Sequence, residues 1–389
     1  MQEIVAHDRC TGCSACVNRC PKSCISMEAG DGGFLYPVID TATCIDCGQC
    51  QAVCPALHHD AYSGNNLPRA YAAHQNSKNA LEQCSSGGVF ELLARDTLAR
   101  GGAVFGAAFD NSYQVVHRCA ENWEQIALFL QSKYVQSMIG NTYQEAKQLL
   151  DAGRPVLFTG TPCQISGLKL FLGKPYPQLL CQDIACHSVP SPQIWADYLS
   201  ELQKHQGSPV AEVLFRKKAP NWEGYHFQVH FENGTVHDCI GIDTPYMKAF
   251  INGLISRPSC YTCPFKGLTR DSDVTLADFW GVQQLCPSAY HAKGTSLVLL
   301  HTQEGMDAFE RIKAHLAIQE VDPLLAVSAN PAVTVPSKRS AHYHRFWRQY
   351  KADSFPQLVA LCIRPSLGQQ LHRAVRSSIF FRALRKLLR

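Results

Sequence analysis

The sequence predicts an α+β or α/β protein in three parts: a short cysteine-rich domain, a large α/β domain and a helical basic tail. Two copies of one cysteine run occupy the first 54 residues. Farther along, apolar strand-like runs alternate with periodic helical segments, which is typical of an α/β domain. Basic residues dominate the end of the chain. We therefore expect domains over 1–62 and 63–335, the second with parts of about 63–153 and 154–335, and a tail over 336–389.

The cysteine runs have the spacing C-x2-C-x2-C-x3-C-P, the ligand pattern of a bacterial two-cluster ferredoxin. Three thiolates at such intervals can grip one face of an iron–sulfur cubane, and the proline frees the fourth thiolate for the other cubane. One [4Fe–4S] cluster is assigned to Cys10, Cys13, Cys16 and Cys54, and the other to Cys44, Cys47, Cys50 and Cys20. Zinc sites or disulfides are the alternatives, but zinc usually takes two C-x2-C pairs and disulfides do not suit a reducing compartment. Cys24 lies outside the pattern, and we expect a small buried residue there.

Composition is that of a globular protein. The 389 residues are 46% hydrophobic, which is enough for a sizeable core. The nineteen cysteines come without an N-terminal basic segment followed by an apolar run, and without an uninterrupted apolar stretch of about 18 residues. We therefore expect a cytoplasmic protein.

The net charge of +4 is unevenly distributed. From Lys338 to Arg389 the chain has twelve basic residues and one acid, Asp353. Apolar and basic residues alternate near the end in the pattern of an amphipathic helix, with Leu371, Val375, Leu384 and Leu388 among Arg373, Arg376, Arg382, Arg385 and Lys386. Such a tail could pack on the acidic body of the protein, contact a partner protein or lie peripherally at the inner membrane surface. Nucleic-acid binding rests on the tail alone and is disfavoured.

Local signals predict the first elements of the large domain. Ala103 to Phe109 is an apolar run after a double glycine and predicts a strand. A helix is predicted to begin at Asn141-Thr142, where Glu145 would complete a capping box, and to end at Gly153. The next strand is predicted over 155–159.

The following elements have equally clear signals. A strand is predicted over 179–185, and Ser191-Pro192 combines an N-cap with a first-turn proline for a helix that runs to about His205. Alternating apolar residues end at Asn233-Gly234, which predicts a β-hairpin.

Four further cysteines come from three separate segments. Cys163 and Cys186 each follow a predicted strand, where sites collect in open α/β sheets, and Cys260 and Cys263 form a C-x2-C pair. Together they could hold a third cubane or a tetrahedral zinc. A third cluster is favoured because it would extend an electron route, although Cys163 and Cys186 could also be ordinary buried cysteines.

A glycine-bearing turn offers a candidate anion site. Ser85, Ser86, Gly87 and Gly88 precede an apolar helical pattern, and backbone N–H groups at such a helix start suit a pyrophosphate. A plain loop-to-helix turn is the alternative. No G-x-G-x-x-G follows a strand, so a Rossmann site is not supported.

Several segments together resemble the β subunit of the coenzyme F-420 (deazaflavin) hydrogenase and dehydrogenase family. The resemblance spans roughly residues 70 to 305. The matching segments are Ser85 to Gly88, Ser132 to Ser137, Leu157 to Gln164, Cys186 to Pro192, Arg257 to Pro264, and Arg270 to Asp273 leading into Ala277 to Gly281.

The resemblance implies a ferredoxin-like two-cluster domain followed by a non-Rossmann α/β/α flavoprotein domain that holds FAD beside an iron–sulfur centre. On the matching positions, the Ser85 to Gly88 turn would hold phosphate. The residues that would line the flavin are Lys133, Thr159, Gly160, Thr161 and Gln164, with Arg270 and Asp278 as weaker candidates that could instead form a surface ion pair. A lysine there would stabilise negative charge on the reduced ring. Lys133 and His187 are the candidates for a catalytic role, and His187 could equally orient its loop.

The fused cysteine domain and basic tail resemble a bacterial branch associated with cell-surface polysaccharide synthesis. The predicted function is an FAD-dependent and [4Fe–4S]-dependent oxidoreductase. It would take electrons from reduced ferredoxin or a similar low-potential carrier and reduce an organic small molecule or glycan precursor. The alternative is an electron-transfer subunit that serves a partner enzyme and has no substrate site of its own.

Overall fold

The chain is described by a computed structural model over residues 3–59, 67–219, 221–351 and 354–363. The basic amphipathic helix predicted from Leu371 onward lies outside the described residues. Within those ranges, no helix is long and apolar enough to cross a bilayer.

The strands and helices follow one another along the whole described chain. The strands are β1 Ile25–Ala29, β2 Leu35–Ile39, β3 Arg69–Gln75, β4 Ala103–Phe109, β5 Val115–Ala120, β6 Val156–Gly160, β7 Leu179–Ile184, β8 Val210–Lys217, β9 His226–Phe231, β10 Val236–Ile240, β11 Val274–Asp278, β12 Ser296–Leu300 and β13 Leu316–Val321. The helices are α1 Ala15–Arg19, α2 Gln49–Ala52, α3 Lys78–Gln83, α4 Val89–Ala99, α5 Trp123–Ala127, α6 Thr142–Asp151, α7 Pro162–Leu172, α8 Pro192–Gln206, α9 Pro245–Ile251, α10 Val282–Leu285, α11 Gln303–Ile312, α12 Pro323–Val327, α13 Pro331–Thr334, α14 Tyr343–Gln349 and α15 Phe355–Ile363.

An eight-stranded mixed sheet forms the centre of the large domain. Its order is β13-β3-β12-β11-β7-β6-β4-β5, and the neighbours β11, β7, β6 and β4 run parallel to one another. Strands from both parts of the predicted 63–335 domain pair in this sheet. Because parallel strands end at the same edge, the segments after β6, β7 and β11 lie together there.

Helices cover both faces of this sheet. In β6, Val156 and Phe158 point toward α6 and α7, whereas Leu157 points to the opposite face, toward α4 and α11. This alternation follows from the two-residue period of a strand, and it buries both faces in apolar side chains. The predicted α/β/α arrangement is confirmed.

Most predicted elements appear within a residue or two of their expected bounds. The Ser191 side chain accepts a hydrogen bond from the Ile194 N–H and caps α8, and β9 and β10 form the predicted hairpin. The capping box at Asn141 is wrong. The Asn141 side chain makes no cap, and the Thr142 hydroxyl instead donates to the Ile139 carbonyl.

The cysteine-rich domain packs firmly on the large domain. Beside the hairpin of β1 and β2, helix α1 lies against α6 and α7, where the Asn18 side chain donates to the Gly140 carbonyl at 2.9 Å. A Cβ atom at Gly167 of α7 would lie 3.0 Å from the Cys13 sulfur, so only glycine leaves room for this approach. The docking therefore places the first cysteine run beside the end of β6.

The segment after residue 336 continues the body of the protein before the described chain ends. Helices α14 and α15 pack into an aromatic cluster with α8, α9 and the three-stranded sheet of β8, β9 and β10. Phe346 and Leu358 are almost fully buried there. The start of the predicted tail is therefore part of the core.

Candidate functional site

The first cysteine set is buried at the interface between the two domains. Cys10, Cys13, Cys16 and Cys54 are each less than 10% exposed. Burial, together with the neighbouring thiols of Cys10 and Cys54, raises the pKa of Cys16 to about 12. The four predicted ligands, two of them 38 residues apart in sequence, are thus near one another.

The second set lies at the surface. Cys20, Cys44, Cys47 and Cys50 line one small cavity together with Ile25, Ile39 and Ile45, and Cys47 is exposed. Cys24 lines the same cavity. It is buried, as predicted, but its sulfur lies only 3.3 Å from that of Cys20, a contact that the sequence pattern does not indicate.

The four late cysteines also converge. Cys163 lies in the first turn of α7, and Cys186 follows β7 with its carbonyl bound by the Lys266 ammonium. Cys260 belongs to a short 3₁₀ helix that Cys263 ends. Burial raises the pKa of Cys163 to about 12, with further contributions from Cys263 and from Cys13 of the first set. The late set is therefore close to the first set as well as assembled within itself.

In the described ranges, no group of three or more cysteine, histidine or acidic side chains has the arrangement that holds a single metal ion. The cysteine sets therefore stay predictions as cluster ligands.

Arg257 ties the first cysteine set to the late set. Its side chain is fully buried three residues before Cys260. The guanidinium donates to the Cys10 carbonyl at 2.7 Å, to the Leu35 carbonyl at 2.9 Å and to the Gln136 side chain at 2.9 Å. Arg257 therefore connects the loop that carries Cys10 to the segment that carries Cys260.

A cavity of about 550 Å³ opens beside the late cysteines, at the edge where β6, β7 and β11 end. This volume is in the range of cofactor pockets. The predicted flavin residues that line it are Ser85, Ser86, Gly88, Lys133, Thr159, Gly160, Thr161, Gln164 and Asp278, and Cys186 and His187 line it too. The structure thus brings together segments that are far apart in sequence.

Two predicted flavin residues do not line the cavity. Gly87 lies behind the turn, where its N–H donates to the Ser296 hydroxyl and where a Cβ atom would come within 2.3 Å of the Ala73 carbonyl. Arg270 is paired with Asp183 at 3.2 Å, and both side chains are at most 2% exposed. The ion pair considered for Arg270 therefore exists, but it is buried instead of superficial.

Hydrogen bonds of two serine side chains fix the glycine-bearing turn of Ser85 to Gly88. Gly88 adopts a left-handed conformation and precedes α4, as predicted. The Ser85 hydroxyl accepts from the Ser132 N–H at 2.7 Å, and the Ser86 hydroxyl donates to the Thr295 carbonyl. Gly88 and the first residues of α4, Val89 and Phe90, line the cavity.

The loop after β6 is held by hydrogen bonds that include His117, a residue that sequence reasoning missed. The His117 Nε2–H donates to the Thr159 carbonyl at 2.9 Å, and its Nδ1 accepts from the Ser137 hydroxyl at 2.9 Å. The Gln164 amide donates to the same Ser137 hydroxyl, and its oxygen accepts from the Thr161 N–H. Burial lowers the pKa of His117 to about 4, so the ring is neutral at physiological pH. No sequence motif points to His117, because β5 meets this loop only in the folded chain.

Charged side chains also line the cavity. The Lys133 ammonium donates to the Leu130 carbonyl at 3.0 Å, and burial lowers the pKa of Lys133 to about 7. Asp278 pairs with Arg216, a buried residue of β8 that also lines the cavity and that the sequence did not indicate. His187 lies 3.4 Å from the Ser337 hydroxyl and edge-on to Phe250.

Family models match two parts of the chain. Residues 153–323 match the family model for the C terminus of the coenzyme F420 hydrogenase/dehydrogenase beta subunit. Two models of a 4Fe-4S dicluster domain match residues 9–57 and 36–88. The resemblance inferred from the sequence is confirmed.

Individual relatives cover parts of the chain. A coenzyme F420-dependent sulfite reductase of Methanocaldococcus jannaschii is 25% identical over 178 residues, which span 45% of this chain and 27% of that protein. A "Ferredoxin 7Fe" of Hydrogenibacillus schlegelii is 41% identical over 51 residues, which span 13% of this chain and 59% of the ferredoxin.

A solved F420-reducing [NiFe] hydrogenase complex of Methanosarcina barkeri contains a similar chain, with 19% identity and a TM-score of 0.46. The match covers 70% of this chain and 90% of that one. Residues 9–57 are therefore similar to 4Fe-4S dicluster domains, and residues 153–323 to the C terminus of the coenzyme F420 hydrogenase/dehydrogenase beta subunit.

Proposed function

We propose that the chain is an iron–sulfur flavoprotein oxidoreductase that binds FAD in the 550 Å³ cavity. One observation carries this proposal: Cys186 of the late set and nine predicted flavin residues line the same cavity. A redox ring bound there would lie next to an iron–sulfur centre. When bound, FAD would collect single electrons and deliver a pair as hydride to an organic acceptor.

The positions of the three cysteine sets support an order of electron transfer. The second set is at the surface, where Cys47 is exposed to a partner. It neighbours the first set, since Cys50 contributes to the raised pKa of Cys16. The first set in turn neighbours Cys163 of the late set. Electrons from an external carrier would pass through the sets in this order and reach the cavity through the late set.

The polar residues of the cavity have separate tasks in this scheme. Lys133 supplies an amine that donates to two backbone carbonyls beside the cavity, and because burial lowers its pKa to about 7, negative charge on a bound ring would favour its protonated form. The hydrogen-bonded chain of Gln164, Ser137 and His117 fixes the loop after β6, so the wall does not rearrange when a ligand enters. We propose an organic acceptor, a class that includes glycan precursors, for the open side of the cavity.

Anaerobic purification of the full chain tests the proposal. About twelve irons, matching sulfide and one FAD per chain are expected, because each cubane holds four irons. A Cys163→Ser and Cys260→Ser double variant should fall to about eight irons. Cys239→Ser is the matched control, because Cys239 lies on β10 outside the three sets.

Two results would contradict parts of the proposal. About eight irons with one zinc in the wild-type chain would make the late set a structural zinc site. Bound flavin that dithionite reduces, but that is reoxidised only when a second protein is added, would favour the electron-transfer subunit over an enzyme with its own substrate site.

A further inference from the structure

Two side-chain nitrogens of Arg216 have no hydrogen-bond partner within the usual distance among the described residues, and the Tyr134 hydroxyl also interacts with this guanidinium. Its side chain is 3% exposed and lies in the wall of the cavity. The Nη1 atom pairs with Asp278, and the two nitrogens without a partner at that distance among the described residues are Nε and Nη2. Buried donors without a partner are costly, so native proteins rarely keep them unless a ligand or water completes the set.

The two unused nitrogens form one edge of the planar guanidinium. Two N–H groups point outward from that edge in parallel, which is the geometry that binds two oxygens of a phosphate or carboxylate at once. Asp278 fixes the opposite side of the group, so the free edge has one orientation. Stacking of the guanidinium over Tyr225, at 4.8 Å from the ring centre, holds it in plane.

Neighbouring groups are of the kind that bind phosphate. Lys218, two residues beyond Arg216, donates its buried ammonium to the Ser86 carbonyl at 3.0 Å. This contact joins the end of β8 to the glycine-bearing turn, and Val89 and Phe90 at the start of the next helix, α4, line the cavity. A helix N-terminus and an arginine fork are both groups that bind phosphate oxygens.

We propose that the free edge of Arg216 binds a phosphate oxyanion of a nucleoside diphosphate group, with Asp278 as the residue that orients it. The inference rests on the proposed function, because the diphosphate of FAD would be its source. It goes further by assigning a binding residue from β8 that the sequence motifs do not indicate.

Ligand affinity of the flavin-free, iron-loaded chain tests this. FAD, riboflavin and ADP are titrated against the wild type, Arg216→Met, Arg216→Lys and the exposed control Arg154→Met. In Arg216→Met, the affinities for FAD and ADP should fall about tenfold to hundredfold, because a bidentate charged contact is lost. Riboflavin has no phosphate, so its affinity for Arg216→Met should equal its affinity for the wild type. Arg216→Lys should recover only part of the loss, since an ammonium cannot bind in two places.

The outcomes separate the two proposals. Equal losses for FAD and riboflavin, or no loss for FAD and ADP, would overturn the role of Arg216. A wild type that binds ADP through Arg216 but binds neither flavin would disprove the FAD proposal and leave the phosphate site intact. Iron content and circular dichroism show whether Arg216→Met is misfolded. If it is, the ratio of FAD affinity to riboflavin affinity in Arg216→Lys tests the role of Arg216 instead.

Discussion

Two cysteine runs of the same spacing supply two cysteine sets with opposite environments. The first set, Cys10, Cys13, Cys16 and Cys54, is buried near α6, α7 and Arg257, whereas the second set lies around a surface cavity with Cys47 exposed. Each run contributes to both sets, since Cys20 lines the surface cavity and Cys54 is buried. Contacts outside the motif therefore decide how far each predicted ligand set lies from solvent.

Removing the arginine that buries the first run should have the largest effect on this contrast. Arg257→Met leaves the carbonyls of Cys10 and Leu35 without donors inside the interface. We expect a loss of about 3–5 kcal/mol in the free energy of unfolding, as for a broken buried polar network. Denaturant melts measure it, and hydrogen exchange should show the first run becoming as accessible as the second. Arg154→Met, at an exposed ion pair, should change stability by under about 1 kcal/mol. Unchanged exchange in the first run would disprove the role given to Arg257.

Burial also distinguishes two lysines, Lys133 beside the cavity and Lys204 at the surface. Burial lowers the pKa of Lys133 to about 7, well below that of an unfolded lysine. The unfolded chain therefore binds a proton that the folded chain lacks between pH 7 and about 10.5, so this residue makes stability rise with pH in that window. Lys133→Met should remove up to about 5 kcal/mol of that rise, measured by denaturant melts of the flavin-free chain at several pH values. The exposed Lys204→Met should leave the pH profile unchanged, and an identical profile for both variants would refute the prediction.

The close approach at Gly167 gives a smaller test of why the first run is buried. Gly167→Ala places a methyl group 3.0 Å from the Cys13 sulfur and 3.3 Å from the Tyr143 hydroxyl. We expect a loss of about 1–3 kcal/mol from overpacking, with a changed electron paramagnetic resonance spectrum of one cluster only. Ser200→Ala on α8, remote from the cysteines, is the control. A stability equal to wild type would mean that α1 shifts away without cost.

The smallest expected effect needs no substitution. A chelator or ferricyanide should remove iron from the exposed second set before the buried first set. We expect the two rates to differ by about tenfold, which corresponds to a difference of about 1.4 kcal/mol in activation free energy. Iron release followed by absorbance should then have two phases. Release in a single phase would contradict the difference in burial.

Local signals account for much of the fold prediction. The Ser191-Pro192 cap, the Asn233-Gly234 hairpin and β4 depend on neighbouring residues, so the sequence indicates them directly. Asn141 fails because the Thr142 hydroxyl binds a carbonyl that precedes the helix. The predicted cavity residues came from resemblance to a family, and Arg270 separates from them because its partner, Asp183, lies on β7.

The sequence by itself determined the ligand spacing of each cysteine run and the order of strands and helices, since both depend on residues close together in the chain. The tertiary structure decided which cysteine set is buried, that Cys13 neighbours Cys163, and that His117 and Arg216 reach the cavity. Each of those features joins segments far apart in sequence. Their energies come from burial and from the pairing of desolvated polar groups, which exist only after the sheet and its helices have closed around them.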